Sequence, residues 1–172
     1  YTAVAGDLDA REAIAAKLTR ENGIACSAAD VVISTGAKQS LNLALEAILD
    51  PGMGQEVLLL TPAWVSYRAM VELAGGVAVE VPASVENNFK VTADQLESAI
   101  TDRTAALIIN SPSNPCGTMY SPDELRAFAD VVARHPHVIV IADEIYEKLI
   151  YGDVAHFSMG SVDAIADRVV TI

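Results

Sequence analysis

Val-Ile-Val-Ile-Ala-Asp-Glu-Ile-Tyr, residues Val138 to Tyr146, is the stretch that decides the fold. The unbroken apolar run from Val138 to Ala142 predicts a strand buried on both faces, the pattern of a parallel sheet sandwiched between helices. The run ends in Asp143, and a carboxylate at the end of a buried strand is costly unless a cation meets it. Parallel α/β sheets bind ligands just outside the carboxyl ends of their strands, so Asp143 is expected to face a bound molecule that supplies the charge.

Working outward, the same alternation repeats. Ala105 to Ile109 is a second apolar strand, and Ser121-Pro-Asp-Glu after it opens a helix with an N-cap serine, proline at the first helical position and acids in the first turn. Further upstream, strands are expected at Val31–Ser34, Glu56–Leu60 and Val77–Val81. The helices expected between and before them are a surface helix from Ala10, then Lys38–Leu49, Trp64–Ala74 and Thr92–Ile100, the last with Thr92 three residues before Gln95. Val169–Ile172 reads as a final strand. The expected fold is therefore α/β, three-layered, with a mostly parallel sheet and helices on both faces. No linker or internal repeat interrupts residues 1–172, which are expected to form a single domain.

Composition narrows the function. The 172 residues are 52% hydrophobic and carry a net charge of −12, with 11 basic residues scattered singly. A nucleic-acid or anionic-membrane surface needs clustered Lys and Arg, so neither is an expected partner. No apolar stretch approaches a membrane span. Cys26 and Cys116 lack metal-site spacing, which argues against a metal centre and for reduced thiols in a cytoplasmic setting.

Three strand-end loops carry unusual chemistry. Ser34-Thr35-Gly36-Ala37-Lys38 stands at a helix start, where small residues and the helix dipole suit a phosphate, although taken alone it reads first as an ordinary tight turn. Ser111-Pro-Ser-Asn-Pro-Cys-Gly117 is stiffened by proline and presents the Asn114 amide, or is simply a rigid surface turn. In Asp143-Glu-Ile-Tyr146, a helical turn would point Asp143 and Tyr146 into one site, Asp143 keeping a ring nitrogen protonated and Tyr146 bonding a ring oxygen. Alternatively Asp143 caps a helix.

Taken together, the Asn-Pro-Cys-Gly and Asp-Glu-Ile-Tyr loops, each after an apolar strand, resemble those of the class I and II aminotransferases, pyridoxal-5′-phosphate enzymes of fold type I. The likeness extends over Gly36-Ala-Lys-Gln39, Asp50-Pro-Gly52, Pro62-Ala-Trp-Val-Ser-Tyr67 and Ala74-Gly-Gly76. The Trp-Val-Ser-Tyr wording is similar to that of bacterial aspartate aminotransferases. The resemblance implies that the chain is the front portion of the large, cofactor-binding domain. It further implies that Gly36, Ala37 and Lys38 contact the cofactor phosphate and that Trp64 stacks on the pyridine ring. Asn114 would touch the ring oxygen and the substrate carboxylate, Tyr146 the ring oxygen, and Asp143 the pyridinium nitrogen; Trp64 also has the alternative role of core filler. Tyr1 resembles a tyrosine that reaches the partner subunit's phosphate in a homodimer. Cys116 departs from the family's usual threonine, and a thiol hydrogen-bonds only weakly.

The family's chemistry also needs a lysine that holds the cofactor covalently. None of Lys17, Lys38, Lys90 and Lys148 fits, so that lysine is expected beyond Ile172, and these 172 residues by themselves are not expected to be active. The implied parent activity moves an amino group from an amino acid, with aspartate the expected donor, to a 2-oxo acid. Two alternatives are a lyase or decarboxylase of the same fold, and an aminotransferase-like sensing domain of a transcription regulator.

Overall fold

Asn110 and Asp143 end adjacent strands side by side, and the sheet that brings them together is all parallel. The computed structural model describes residues 3–172. In chain order its elements are α1 (Leu8–Lys17), α2 (Ala37–Ile48), β1 (Glu56–Thr61), α3 (Ser66–Leu73), β2 (Val77–Pro82), α4 (Ala93–Ala99), β3 (Thr104–Asn110), α5 (Pro122–Arg134), β4 (Ile139–Asp143) and β5 (Val169–Thr171). The five strands lie in the order β2-β1-β3-β4-β5.

Side-chain alternation divides the core in two. Leu58, Leu107, Ile109, Val140 and Ala142 face α4 and α5, where they pack with Leu96, Leu125, Phe128 and Val132. Their neighbours Val57, Leu59, Ala106, Ile108 and Ile141 face α2 and α3, packing with Leu41, Leu45, Tyr67, Met70 and Val71. This two-sided burial is why the central strands read as continuous apolar runs rather than alternating ones. The expected three-layer α/β architecture is the one observed.

Local chemistry sets the helix starts. The Ser121 hydroxyl accepts from the Glu124 N–H while the Glu124 carboxylate accepts from the Ser121 N–H. Thr92 and Gln95 form the same reciprocal pair at α4. Each pair satisfies two backbone donors that the helix start leaves open.

Three expectations need correction. Val31–Ser34 is not a strand: it leads from a short 3₁₀ turn at Ala28–Asp30 into α2, and the Ile33 N–H donates to Ala5 rather than to a sheet neighbour. β-branched residues favour extended backbone, but a strand also needs an open edge beside it, and the sheet's edges lie elsewhere, at β2 and β5. The chain after Asp143 is a turn and not a helix, with Glu147 N–H donating to Glu144 and Leu149 N–H to Tyr146. Trp64 likewise precedes α3 instead of opening it.

Candidate functional site

The strand order reverses direction at β1: the chain steps from β1 outward to β2 and then returns to β3 on β1's other side. α3 covers one face and α4 the other, which opens a crevice at the carboxyl ends of β1 and β3. Such switch points are where open α/β sheets receive ligands. A cavity of about 230 Å³ lies here, lined by Ala37, Trp64, Tyr67, Asn110, Asn114, Asp143, Ile145 and Tyr146.

Asp143 is the electrostatic centre of this cavity. It is 3% exposed, and its Oδ2 accepts a hydrogen bond of 2.6 Å from the Tyr67 hydroxyl. Oδ1 accepts a longer one, 3.3 Å, from the Ile145 N–H, so the side chain closes its own turn and caps no helix. Burial pushes the Asp143 carboxyl up, the neutral donors Tyr67 and Ile145 pull it partly back, and the adjacent Glu144 charge pushes it up again. Among the described residues no cationic side chain pairs with Asp143. Burial and the nearby Asp143 charge also push the Tyr67 phenol up, so it stays a proton donor.

Asn110 organises the loop beside it. Its amide donates to the Asp143 carbonyl at 2.9 Å, and its side-chain oxygen accepts from the Asn114 N–H at 2.7 Å. The loop is closed by Ser113 N–H donating to Thr118 and Gly117 N–H donating to Ser113, with Gly117 at φ +67° where other residues would be strained. The result brings the Asn114 amide 3.4 Å from the Tyr146 hydroxyl, two polar groups converging on one point of the cavity.

Trp64 presents an apolar face to the cavity, held edge-on by Tyr67 with ring centroids 5.5 Å apart. The Lys38 ammonium stands 4.8 Å from the Trp64 ring centroid. Gly36, at φ +83°, is the N-cap of α2, and the first N–H groups of that helix, on Ala37 and Lys38, have no acceptor within the helix. An anion there meets both free donors and the positive end of the dipole.

The residues fit a pyridoxal group on the structure's own terms. A buried carboxylate served only by neutral donors takes a ring N–H cation, a paired amide and phenol take a ring oxygen, an indole face takes a flat ring, and a helix start takes a phosphate. The expected residues Ala37, Trp64, Asn114, Asp143 and Tyr146 line one cavity, with Lys38 against Trp64 and Gly36 at the adjoining N-cap. Tyr1 lies outside the described residues. Three contributors escaped the sequence reading: Tyr67, Asn110 and Ile145. Asn110 carried a usable signal, since it too is a polar residue ending an apolar strand. Tyr67 lies three positions after Trp64, but nothing in that spacing names Asp143 as its partner.

None of the four lysines lines the cavity. Lys17 pairs with Glu147, Lys90 with Glu124 and Lys148 with Glu21, while Lys38 rests on Trp64.

The fold is an α/β domain with a crevice at the switch point of its sheet, and the chain belongs to the aminotransferase class I and II family, whose profile matches residues 1–171. Among curated relatives, it is 49% identical over 153 residues to the aspartate/prephenate aminotransferase of Cereibacter sphaeroides, covering 89% of this chain and 38% of that protein. To the aspartate aminotransferase of Bacillus subtilis it is 41% identical over 173 residues, covering 100% of this chain and 43% of that one. Among solved structures, the aspartate aminotransferase from Thermus thermophilus with maleate superposes with a TM-score of 0.93 at 42% identity, covering 99% of this chain and 43% of that one. The aromatic aminotransferase from Pyrococcus horikoshii gives 0.94 at 44% identity, covering 99% and 45%. The chain thus spans about two-fifths of the length of these relatives. No helix among the described residues is long and apolar enough to cross a membrane.

Proposed function

We propose that the chain is the front portion of the large domain of a pyridoxal-phosphate-dependent aminotransferase, which moves an amino group from an amino acid, aspartate in the first instance, to a 2-oxo acid. The observation that carries this reading is Asp143, a buried carboxylate whose donors among the described residues are neutral, facing a cavity that also holds an indole face and an amide–phenol pair. The names of the relatives favour aspartate as donor and transamination over lyase, decarboxylase or sensing roles.

Bound at this site, pyridoxal phosphate supplies the electron sink that lets the substrate's α-proton leave. Asp143 keeps a proton on the ring nitrogen, and its burial makes that pairing strong, because little water competes for the charge. Asn114 and Tyr146 orient the ring through its oxygen, and in this reading Asn114 also meets a substrate carboxylate. Trp64 excludes water from one side of the ring. Gly36, Ala37 and Lys38 receive the phosphate on backbone donors, assisted by the α2 dipole. The whole protein is proposed to work in the cytoplasm as a homodimer.

Titration with pyridoxal phosphate tests the site directly. Trp64 is the sole tryptophan in the 172 residues, so its fluorescence should quench saturably as the ring stacks. Asp143→Ala should weaken that binding by roughly a hundredfold, the scale for losing one partner of a buried charge pair. Binding that ignores Asp143→Ala would sink the proposal. Amino transfer from aspartate to 2-oxoglutarate by the whole protein tests the reaction. A lysine-bound cofactor that disappears when Lys17, Lys38, Lys90 or Lys148 is replaced would overturn the assignment of covalent attachment to none of these four.

A further inference from the structure

A second buried carboxylate stands back to back with Asp143. The alternation along β4 carries Asp143 to the same face as Ile141, beside Tyr67, and sends Glu144 to the opposite face near Leu125, Phe157 and Met159. Glu144 is 7% exposed. Its Oε2 accepts from the Ser158 hydroxyl at 2.6 Å and from His156 Nε2 at 2.9 Å. A carboxylate can only accept, so this ring nitrogen carries a proton.

The surrounding groups are themselves committed. The Asn22 amide donates to Ser158 Oγ at 2.7 Å and to Glu147 Oε2 at 2.8 Å. Glu147 pairs with Lys17, lies 3.9 Å from His156 and 3.9 Å from the exposed Lys148. On the other side of the strand end Asp143 faces Tyr67 and, across the cavity, Tyr146. His156 is therefore the one nitrogen donor that reaches the Glu144 carboxylate from a side chain among the described residues.

We propose that His156 is a positioning residue that acts through Glu144: by donating to Glu144 it damps the negative field behind Asp143, so that Asp143 stays ionised and the cofactor's ring nitrogen keeps its proton. The inference rests on the function proposed above. Two carboxylates on successive buried residues oppose each other's ionisation, and the Glu144 charge is one of the causes that push the Asp143 carboxyl up. Without the His156 donor, the Glu144 charge keeps only the Ser158 hydroxyl as a side-chain donor and draws the shared proton from the ring nitrogen toward Asp143, because the proton is nearer Glu144 there. His156, Ser158 and Glu144 do not line the cavity, so their effect on it is exerted through the field and the backbone of the strand end.

The test uses the protein and pyridoxal phosphate labelled with ¹⁵N in the ring, reading the dissociation constant and the ring-nitrogen resonance. His156→Leu should weaken binding on the order of tenfold and move the resonance toward the unprotonated position. His156→Gln, which keeps an N–H donor, should stay close to the parent in both readouts. The decisive variant is the double change Glu144→Gln with His156→Leu: with no charge left to damp, both readouts should return toward the parent values. A purely structural role for His156 predicts no such rescue, and absence of rescue in a double variant that still melts cooperatively overturns the proposal. So does a His156→Gln protein that behaves like His156→Leu, or a His156→Leu protein that binds within twofold of the parent. If the parent itself binds no pyridoxal phosphate, the function proposed above falls and this inference with it; loss of the His156 effect alone sinks only the inference.

Discussion

Replacing Tyr67 with Phe removes one oxygen and keeps the ring that packs against Trp64, so its effect isolates a single hydrogen bond. That bond, 2.6 Å to Asp143 Oδ2, is the short one of the two the carboxylate accepts, and both partners are buried, at 3% exposure each. A hydrogen bond to a charged group contributes about 1.5–3 kcal/mol net, and little water is available here to replace it. Without cofactor, Tyr67→Phe should therefore lower unfolding free energy by about 2 kcal/mol at pH 8. For a domain of this size, that corresponds to a melting temperature lower by roughly 4–8 °C. The pH dependence follows from the direction of the Asp143 shift. Burial raises its folded pKa above the unfolded value, so the ionised, destabilising form is fully present only above the folded pKa. As pH falls through that raised pKa, Asp143 takes up a proton, needs the Tyr67 donor less, and the gap between parent and variant should close. Calorimetric melts of both proteins across pH 4.5–8, without cofactor, measure the gap. A melting temperature unchanged at pH 8, or a gap that widens toward acid, would refute the reasoning.

Other expectations concern the scaffold. Phe128, 1% exposed between α5 and the sheet, should cost about 3–5 kcal/mol as Phe128→Ala in chemical denaturation, with the cavity site otherwise intact. Glu56 is held below the ordinary glutamate range, first by the Thr101 hydroxyl at 2.6 Å against the opposing effect of burial, then by Arg103. A depressed folded pKa adds stability above the unfolded pKa that is lost as pH falls through the folded one, so Thr101→Val should cost about 1–2 kcal/mol at pH 7 and progressively less in acid melts. Ser121→Ala removes the α5 cap and should cost about 1 kcal/mol, read from the denaturation midpoint.

How much of the site was legible depended on the distance over which each interaction acts. Asp143, Asn114 and Tyr146 stood out because each follows directly from a buried strand, and the rule that strand ends face ligands needs only local sequence. The helix starts at Ser121 and Thr92 were equally readable, because a capping pair closes within three residues. Val31–Ser34 misled for the complementary reason: its β-branched composition describes a backbone preference, while strand formation depends on a neighbour that composition does not name.

The sequence by itself determined the alternation of buried strands and helices, the three loops that carry the chemistry, and the family likeness built on them. Asp143 was visible as a charge in need of a partner. Only the tertiary structure decided what surrounds it: Tyr67, 76 positions away, supplies its shortest hydrogen bond, and Asn110, 33 positions away, holds its backbone. Behind it, Glu144 is met by His156 and by Ser158, which Asn22 reaches from 136 positions off. Apolar periodicity is written along the chain because burial acts residue by residue. The identity of a partner across the sheet follows from strand order and register, which arise only when all five strands have been laid side by side.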